Sequence, residues 1–189
     1  VSRTSLGLPE QGFIAINQGS GMNVDRGLEE ALEAISGMPD WRLLLVGSGD
    51  AIPALKLKVQ DKGWSDKVIF IGRVPYATLL QYTRCADVGL SLDKDTNINY
   101  RFSLPNKLFD YLHCDVPVVT SKVREVAKIV EEFGIGLTVN PEDIDALKNS
   151  ITSVVASRKS YCAAMKKAQK SLTWETEQVP LRAFYAQFL

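Results

Sequence analysis

Three cysteines in 189 residues, Cys85, Cys114 and Cys162, are too few and too widely spaced for a disulfide framework or a metal-binding knuckle. Buried thiols in a reducing compartment are the plainer expectation. Histidine is scarcer still. His113 is the only one, so a His-based metal site is hard to build and a Ser/His/Asp hydrolase has a single candidate base. A packed or loop-facing histidine at a helix end is the simpler reading. Charge of one sign is also lacking: 22 Lys and Arg balance 22 Asp and Glu. No basic field gathers nucleic acid, and no nucleic-acid partner is expected. The longest apolar runs cover a few residues, far short of the roughly 20 needed to span a bilayer. No charged segment followed by an apolar one opens the chain, so no secretory signal is expected. There is no repeat of solenoid length and no low-complexity tract. The first residue is Val1 rather than Met, and the chain is expected to be a fragment.

What is present is the composition of a soluble globular protein, 46% hydrophobic and 23% charged. The length suits one domain, or one with an appendage. Residues 1–11 read as a leader or linker. Short apolar runs at 13–17, 42–46, 68–71, 87–92, 117–120 and 136–139 predict strands, each apolar on both faces. Between them lie helical patterns. Asp25 is expected to cap a helix with Leu28, Leu32 and Ile35 on one face, ended by Gly37 and Pro39. Others are expected over 53–62, after Pro75, from Asn106 and over 125–133. Residues 93–103 read as a long polar loop. Only helical patterns follow Pro141, with Pro180 expected to interrupt the last one. Six strands alternating with helices predict an α/β protein with a doubly wound, parallel, Rossmann-like sheet in the order 3-2-1-4-5-6. Ligand should then sit beyond the carboxyl ends of the strands, near the switch point. The loops at 18–23, 47–50, 72–75, 93–106 and 121–123 share that edge.

The richest of these is the stretch from Ser103 to Ser121, SLPNKLFDYLHCDVPVVTS. Pro105 and Asn106 mark a helix N-terminus. Free N–H groups and the positive end of the helix dipole suit phosphate there. One turn on, Asp110 is a carboxylate placed to accept from sugar hydroxyls. A diphosphate site beside a hydroxyl acceptor suggests a nucleotide-sugar pocket. Gln18-Gly19-Ser20-Gly21, with Arg26-Gly27 after it, joins the first strand to the first helix. Glycine permits close backbone approach, and Arg26 supplies a fork for phosphate oxygens. The spacing is not GxGxxG, which argues against a dehydrogenase-like domain. A non-catalytic or dehydrogenase-like nucleotide-binding Rossmann domain remains the alternative reading. A receiver-like module would want an acidic cluster at the strand ends, and an epimerase a Tyr-x-x-x-Lys pair; neither occurs.

The 103–121 stretch resembles the donor-binding domain of retaining glycosyltransferases of GT-B fold, the group 1 or family 4 type, with their S-L-P-x-K-L-F-E-Y and P-V-V-x-S segments. Leu172-Thr173-Trp174-Glu175 resembles the L-T-W-E that opens the family's terminal helix. The resemblance implies one half of a GT-B fold, with residues 12–172 binding the nucleotide sugar and 173–189 crossing to an absent N-terminal domain. It implies a diphosphate site at Gly19, Arg26, Leu104, Pro105, Asn106 and Lys107, and ribose binding by Asp110 where the family has Glu. Val46-Gly47-Ser48-Gly49 and Gly72-Arg73-Val74-Pro75 resemble the family's turns around the base, placing Gly47, Ser48, Gly49, Arg73 and Val74 there. The family's first sugar-binding Glu falls at Phe102 and is missing, leaving Asn99, Tyr100 and Ser103 as replacements. Asp115-Val116 replaces the usual Gly-x, and Glu125 stands near the family's sugar-side acid. No catalytic residue is assigned. Asp93-Lys94-Asp95, the only DxD, is expected to solvate a loop, so no cofactor or metal is expected. The implied reaction is transfer of a hexose from UDP- or GDP-sugar, with retention, to a saccharide or lipid-linked glycan bound by the absent half. Cell-surface polysaccharide or glycoconjugate synthesis is the implied setting. The expected location is cytoplasmic, with peripheral contact at the inner membrane face open to the full-length protein.

Overall fold

Valine-, isoleucine- and leucine-rich runs with no polar face cannot lie on a surface, so they pair in the middle of a layered structure. The computed structural model describes residues 1–188. Leu189, the last apolar position expected on the final helix, lies outside the described residues. Six strands, β1 (Phe13–Gly19), β2 (Trp41–Gly47), β3 (Val68–Ile71), β4 (Val88–Ser91), β5 (Val118–Ser121) and β6 (Gly136–Val139), form one parallel sheet. Their order is β3-β2-β1-β4-β5-β6, the doubly wound order expected from the alternation of elements.

Alternate residues of each strand feed two cores. Ala15, Leu43, Leu45, Val88, Leu90 and Val119 pack under α1 (Leu28–Ser36), α2 (Ala51–Asp61) and α7 (Ile144–Ala156). Ile14, Ile16, Leu44, Val46 and Val118 pack under α3 (Tyr76–Arg84), α5 (Asn106–His113), α6 (Arg124–Phe133) and α8 (Arg158–Ser171). Each such valine, leucine or isoleucine side chain stabilises the fold by about 1.5–3 kcal/mol. Tyr111 of α5 is fully buried and donates to the carbonyls of Ile16 and Leu90 at 3.2 Å, tying α5 across β1 and β4.

Several local expectations change. Asp25 does not cap α1. Its φ is 65° and that of Gly27 is 70°, and these left-handed turns delay the helix to Leu28. The Asp25 carbonyl instead accepts from the Lys94 N–H at 2.8 Å. Residues 93–103 are not all loop, because Asn97 accepts from the Tyr100 N–H at 2.9 Å and starts a short helix, α4 (Ile98–Arg101). Pro180 does not interrupt the last helix, α9 (Trp174–Tyr185). That helix is exposed, so the carbonyl that proline leaves without a partner is open to solvent. The segment before β1 is docked. Arg3 reaches Asp87 at 2.6 Å and the carbonyls of Cys85 and Gly12, and Leu8 is buried. Asp115 occupies the left-handed region at φ 58°, which accounts for glycine being usual there. Lys166 and Gln169 each donate to its carboxylate at 2.8 Å and support the aspartate.

Candidate functional site

The sheet changes winding direction between β1 and β4, and polar side chains collect at the carboxyl end of that gap. Asn17 and Gln18 end an otherwise apolar β1 and are buried to 1% and 2% exposure. Lys107, in the first turn of α5, places Nζ 3.3 Å from Asn17 Oδ1. Its burial lowers its pKa; nearby Asp93 pulls it back up, and nearby Arg26 lowers it further. Arg26 comes from the β1–α1 loop and donates from Nη1 to Asp93 Oδ1 at 2.8 Å. Burial disfavours its charge, but the bond to Asp93 and its coulombic field outweigh this and raise the pKa. The ring of Tyr100 covers the guanidinium at 4.2 Å. Two donors here, Asn17 Nδ2 and Arg26 Nε, are buried without a partner among the described residues. Buried donors of that kind call for a ligand or water.

Asp93 was expected to solvate its loop, and it does not. It is fully buried, its carbonyl accepts from Ser121 Oγ at 2.6 Å, and its carboxylate holds Arg26. A serine on the adjacent strand draws the loop inward. Among the described residues no group of three or more His, Cys, Asp or Glu is arranged to hold a metal ion.

Around this centre the other expected residues divide. Pro105 precedes α5 in extended backbone, and no side chain caps the helix. The N–H groups at Asn106 and Lys107 are therefore left for an anion. Leu104 is 41% exposed. Asp110, on the next turn, is half-buried with both oxygens engaged: Gln18 Nε2 donates to Oδ2 at 2.9 Å and Tyr76 OH to Oδ1 at 2.6 Å. Gln18 is held in turn by Thr83 Oγ1, which donates to its Oε1 at 2.6 Å. The Tyr76 hydroxyl has its pKa pushed up to about 12, mainly by its bond to Asp110 and then by desolvation.

Gly19, Gly47, Arg73 and Val74 come together with Ser20, Val46 and Leu79 around a hollow of about 110 Å³. Ser48 and Gly49 do not line it. The Ser48 carbonyl accepts from Met22 N–H at 3.0 Å, and a Cβ at Gly49 would run into the Met22 backbone. Their turn fastens the β1–α1 loop. Of the residues expected near the sugar, Asn99 is exposed on α4, Tyr100 lies on Arg26, and Ser103 Oγ donates to the Tyr100 carbonyl at 3.1 Å. A second hollow of about 390 Å³ lies at the carboxyl ends of β4, β5 and β6, lined by Asp95, Thr96, Lys122, Asn140 and Glu142 among others.

Sequence reasoning missed Asn17, Tyr76, Thr83 and Asp93, and saw Gln18 only as part of a glycine-rich turn. Two amides ending a strand of apolar residues are a readable signal for Asn17 and Gln18. Tyr76 and Thr83 meet the site only through folding.

The family model described as glycosyl transferases group 1 matches residues 2–171. Among solved structures, sucrose-phosphate synthase from Thermosynechococcus elongatus superposes with a TM-score of 0.82 at 25% identity, over 98% of this chain and 48% of that one. Anabaena HepE in complex with UDP gives 0.79 at 19% identity, over 99% and 51%. The C-terminal domain of a group 1 glycosyl transferase, LpcC from Francisella tularensis, gives 0.68 at 19% identity, over 90% and 91%. The chain spans about half the length of the first two and nearly all of that isolated domain. A sequence search of curated proteins found no match. Among the described residues no helix is long and apolar enough to cross a membrane.

Proposed function

The chain belongs to the group 1 glycosyl transferases, and from that premise we propose that it is the donor-binding domain of a retaining enzyme. It would bind a nucleoside-diphosphate sugar and deliver the sugar to a saccharide or lipid-linked acceptor held by a second domain. The observation that carries this reading is the convergence at the β1–β4 gap of Arg26, Lys107 and the uncapped start of α5 with the buried, unpartnered Asn17 Nδ2 and Arg26 Nε. These are donors and positive charges aimed at one place, with one buried carboxylate, Asp93, steering Arg26.

In this reading the diphosphate lies against Arg26, Lys107, the Gly19 turn and the N–H groups following Pro105, and Asp110 accepts from ribose hydroxyls. The base enters the hollow between Gly47 and Val74, and the donor sugar extends toward Tyr100, Ser103 and Asn99. Breaking the bond to the anomeric carbon puts negative charge on the leaving diphosphate. Arg26 and Lys107, fixed in a partly buried site, stabilise that charge without reorganising, so the chemistry proposed needs no metal. UDP is the first nucleotide to try, because HepE was solved with it. We infer a cytoplasmic setting, with peripheral contact at the inner membrane face and a role in cell-surface glycan assembly. The three unpaired cysteines are consistent with a reducing compartment.

Calorimetric titration with UDP, GDP, ADP and NAD tests this. One nucleoside diphosphate should bind, and Asp110→Ala should weaken it by about 1–3 kcal/mol, the scale of a lost hydrogen bond to a charged group. Tight NAD binding, or nucleotide binding indifferent to Asp110, would overturn the reading.

A further inference from the structure

The two donors on Asp110 are not alike. Gln18 is buried to 2% exposure and locked from behind by Thr83, so it is part of the built site. Tyr76 opens α3 and is 62% exposed. Little packing holds its ring, yet its hydroxyl makes a short contact of 2.6 Å to Asp110 Oδ1. A charge-assisted O–H bond of that length is a strong one. The Pro75 carbonyl accepts the backbone N–H of Thr78 and Leu79, at 2.9 Å each, so the turn that carries Tyr76 is firm while the ring is free to swing. That same turn follows Arg73 and Val74, the lip of the hollow between the β1 and β3 ends.

We propose that Tyr76 is a latch on the ribose acceptor: in the empty protein its hydroxyl stands in for a ribose hydroxyl on Asp110, and nucleotide binding exchanges one for the other. This rests on the assignment of Asp110 to ribose. The exchange conserves the bond count at Asp110, one O–H lost and one gained. A ligand without a hydroxyl at that position opens the latch and leaves Asp110 with a partner missing, so the latch raises the threshold for anything but a ribonucleotide. The closed latch also competes with the correct ligand and weakens its apparent affinity.

Tyr76→Phe removes the hydroxyl and keeps the ring. Calorimetry with UDP and GDP on wild type, Tyr76→Phe, Asp110→Ala and the double variant gives a closed cycle. The latch predicts that Tyr76→Phe binds its nucleotide more tightly, by about three- to tenfold, the net worth of one hydrogen bond. In the Asp110→Ala background the same change should have no effect. If Tyr76→Phe binds more weakly while Asp110→Ala still weakens binding, Tyr76 stays in place as a ligand contact; the latch fails and the ribose assignment survives. An unchanged affinity in Tyr76→Phe also sinks the latch alone. If Asp110→Ala leaves binding intact, or no nucleotide binds any of the four proteins, the ribose assignment fails and the latch falls with it.

Discussion

Lys107 and Arg26 are both cations near a single buried carboxylate, and the two answer to it differently. Arg26 is bonded to Asp93 and stays charged at any workable pH. Lys107 has only the Asn17 amide, and its desolvation lowers its pKa below the ordinary 10.5. A lowered lysine pKa means that the folded protein binds the proton less tightly than the unfolded chain does. The penalty on stability is therefore full below the folded pKa and relieved as pH rises from there to 10.5. A diphosphate reverses this by favouring the ammonium. We expect nucleotide binding to take up protons at alkaline pH and to weaken with rising pH before an ordinary lysine would titrate. Titration calorimetry in buffers of different ionisation enthalpy reads the uptake directly, and Lys107→Met should abolish it. Arg26 tests a different point. Arg26→Ala strands the Asp93 carboxylate in a fully buried place and should cost about 3 kcal/mol in urea unfolding. Adding Asp93→Asn should recover part of that stability, since a neutral amide is cheaper to bury, while nucleotide binding stays lost.

At the scale of elements, the glycine turns hold the site loops together. Gly47 ends β2 at φ 136°, and a Cβ there would run into the Gly19 carbonyl that accepts from the Ser48 N–H at 3.2 Å. Gly47→Ala should therefore destabilise the fold by about 1–3 kcal/mol and, by displacing the Gly19 turn, weaken nucleotide binding more than an equally destabilising change in the α7 core. Chemical denaturation compared with titration separates the two effects. Elements of this kind were partly legible in the sequence. The strands and their order followed from short apolar runs alternating with helical ones, a pattern that few topologies accommodate. The start of α5 followed from Pro105-Asn106. What could not be read were conformations set by distant partners: the left-handed turn at Asp25, tied to the Lys94 N–H, and the burial of Asp93, drawn in by Ser121. Nor does local sequence place Tyr76 against Asp110, because they are 34 positions apart with a strand between them. Glycine spacing exposed the existence of the 47–49 turn but not its division of labour, with Gly47 facing the hollow and Gly49 the Met22 backbone.

For the whole molecule the sheet sets the limits. Two cores cover its faces, and the groups suited to a nucleotide all lie at one edge, so the chain offers one wall of a reaction site. In the proposed reading that wall meets half of the requirement for glycosyl transfer: it would bind the diphosphate and stabilise it as it leaves. The other half is an acceptor hydroxyl held in line and water held out, and the arrangement at the switch point supplies no group assigned to either. α9 leaves Trp174, Phe184 and Tyr185 more than half exposed, with Leu181 at 44% on the same helix. Binding and turnover should thus come apart in this protein. Given UDP-glucose and an oligosaccharide acceptor, the 189-residue chain should bind the donor by calorimetry yet yield no glycosylated product by mass spectrometry after prolonged incubation. Transfer by this chain alone would mean that one wall suffices, and the loops at the β1–β4 gap would then have to contain the acceptor site as well.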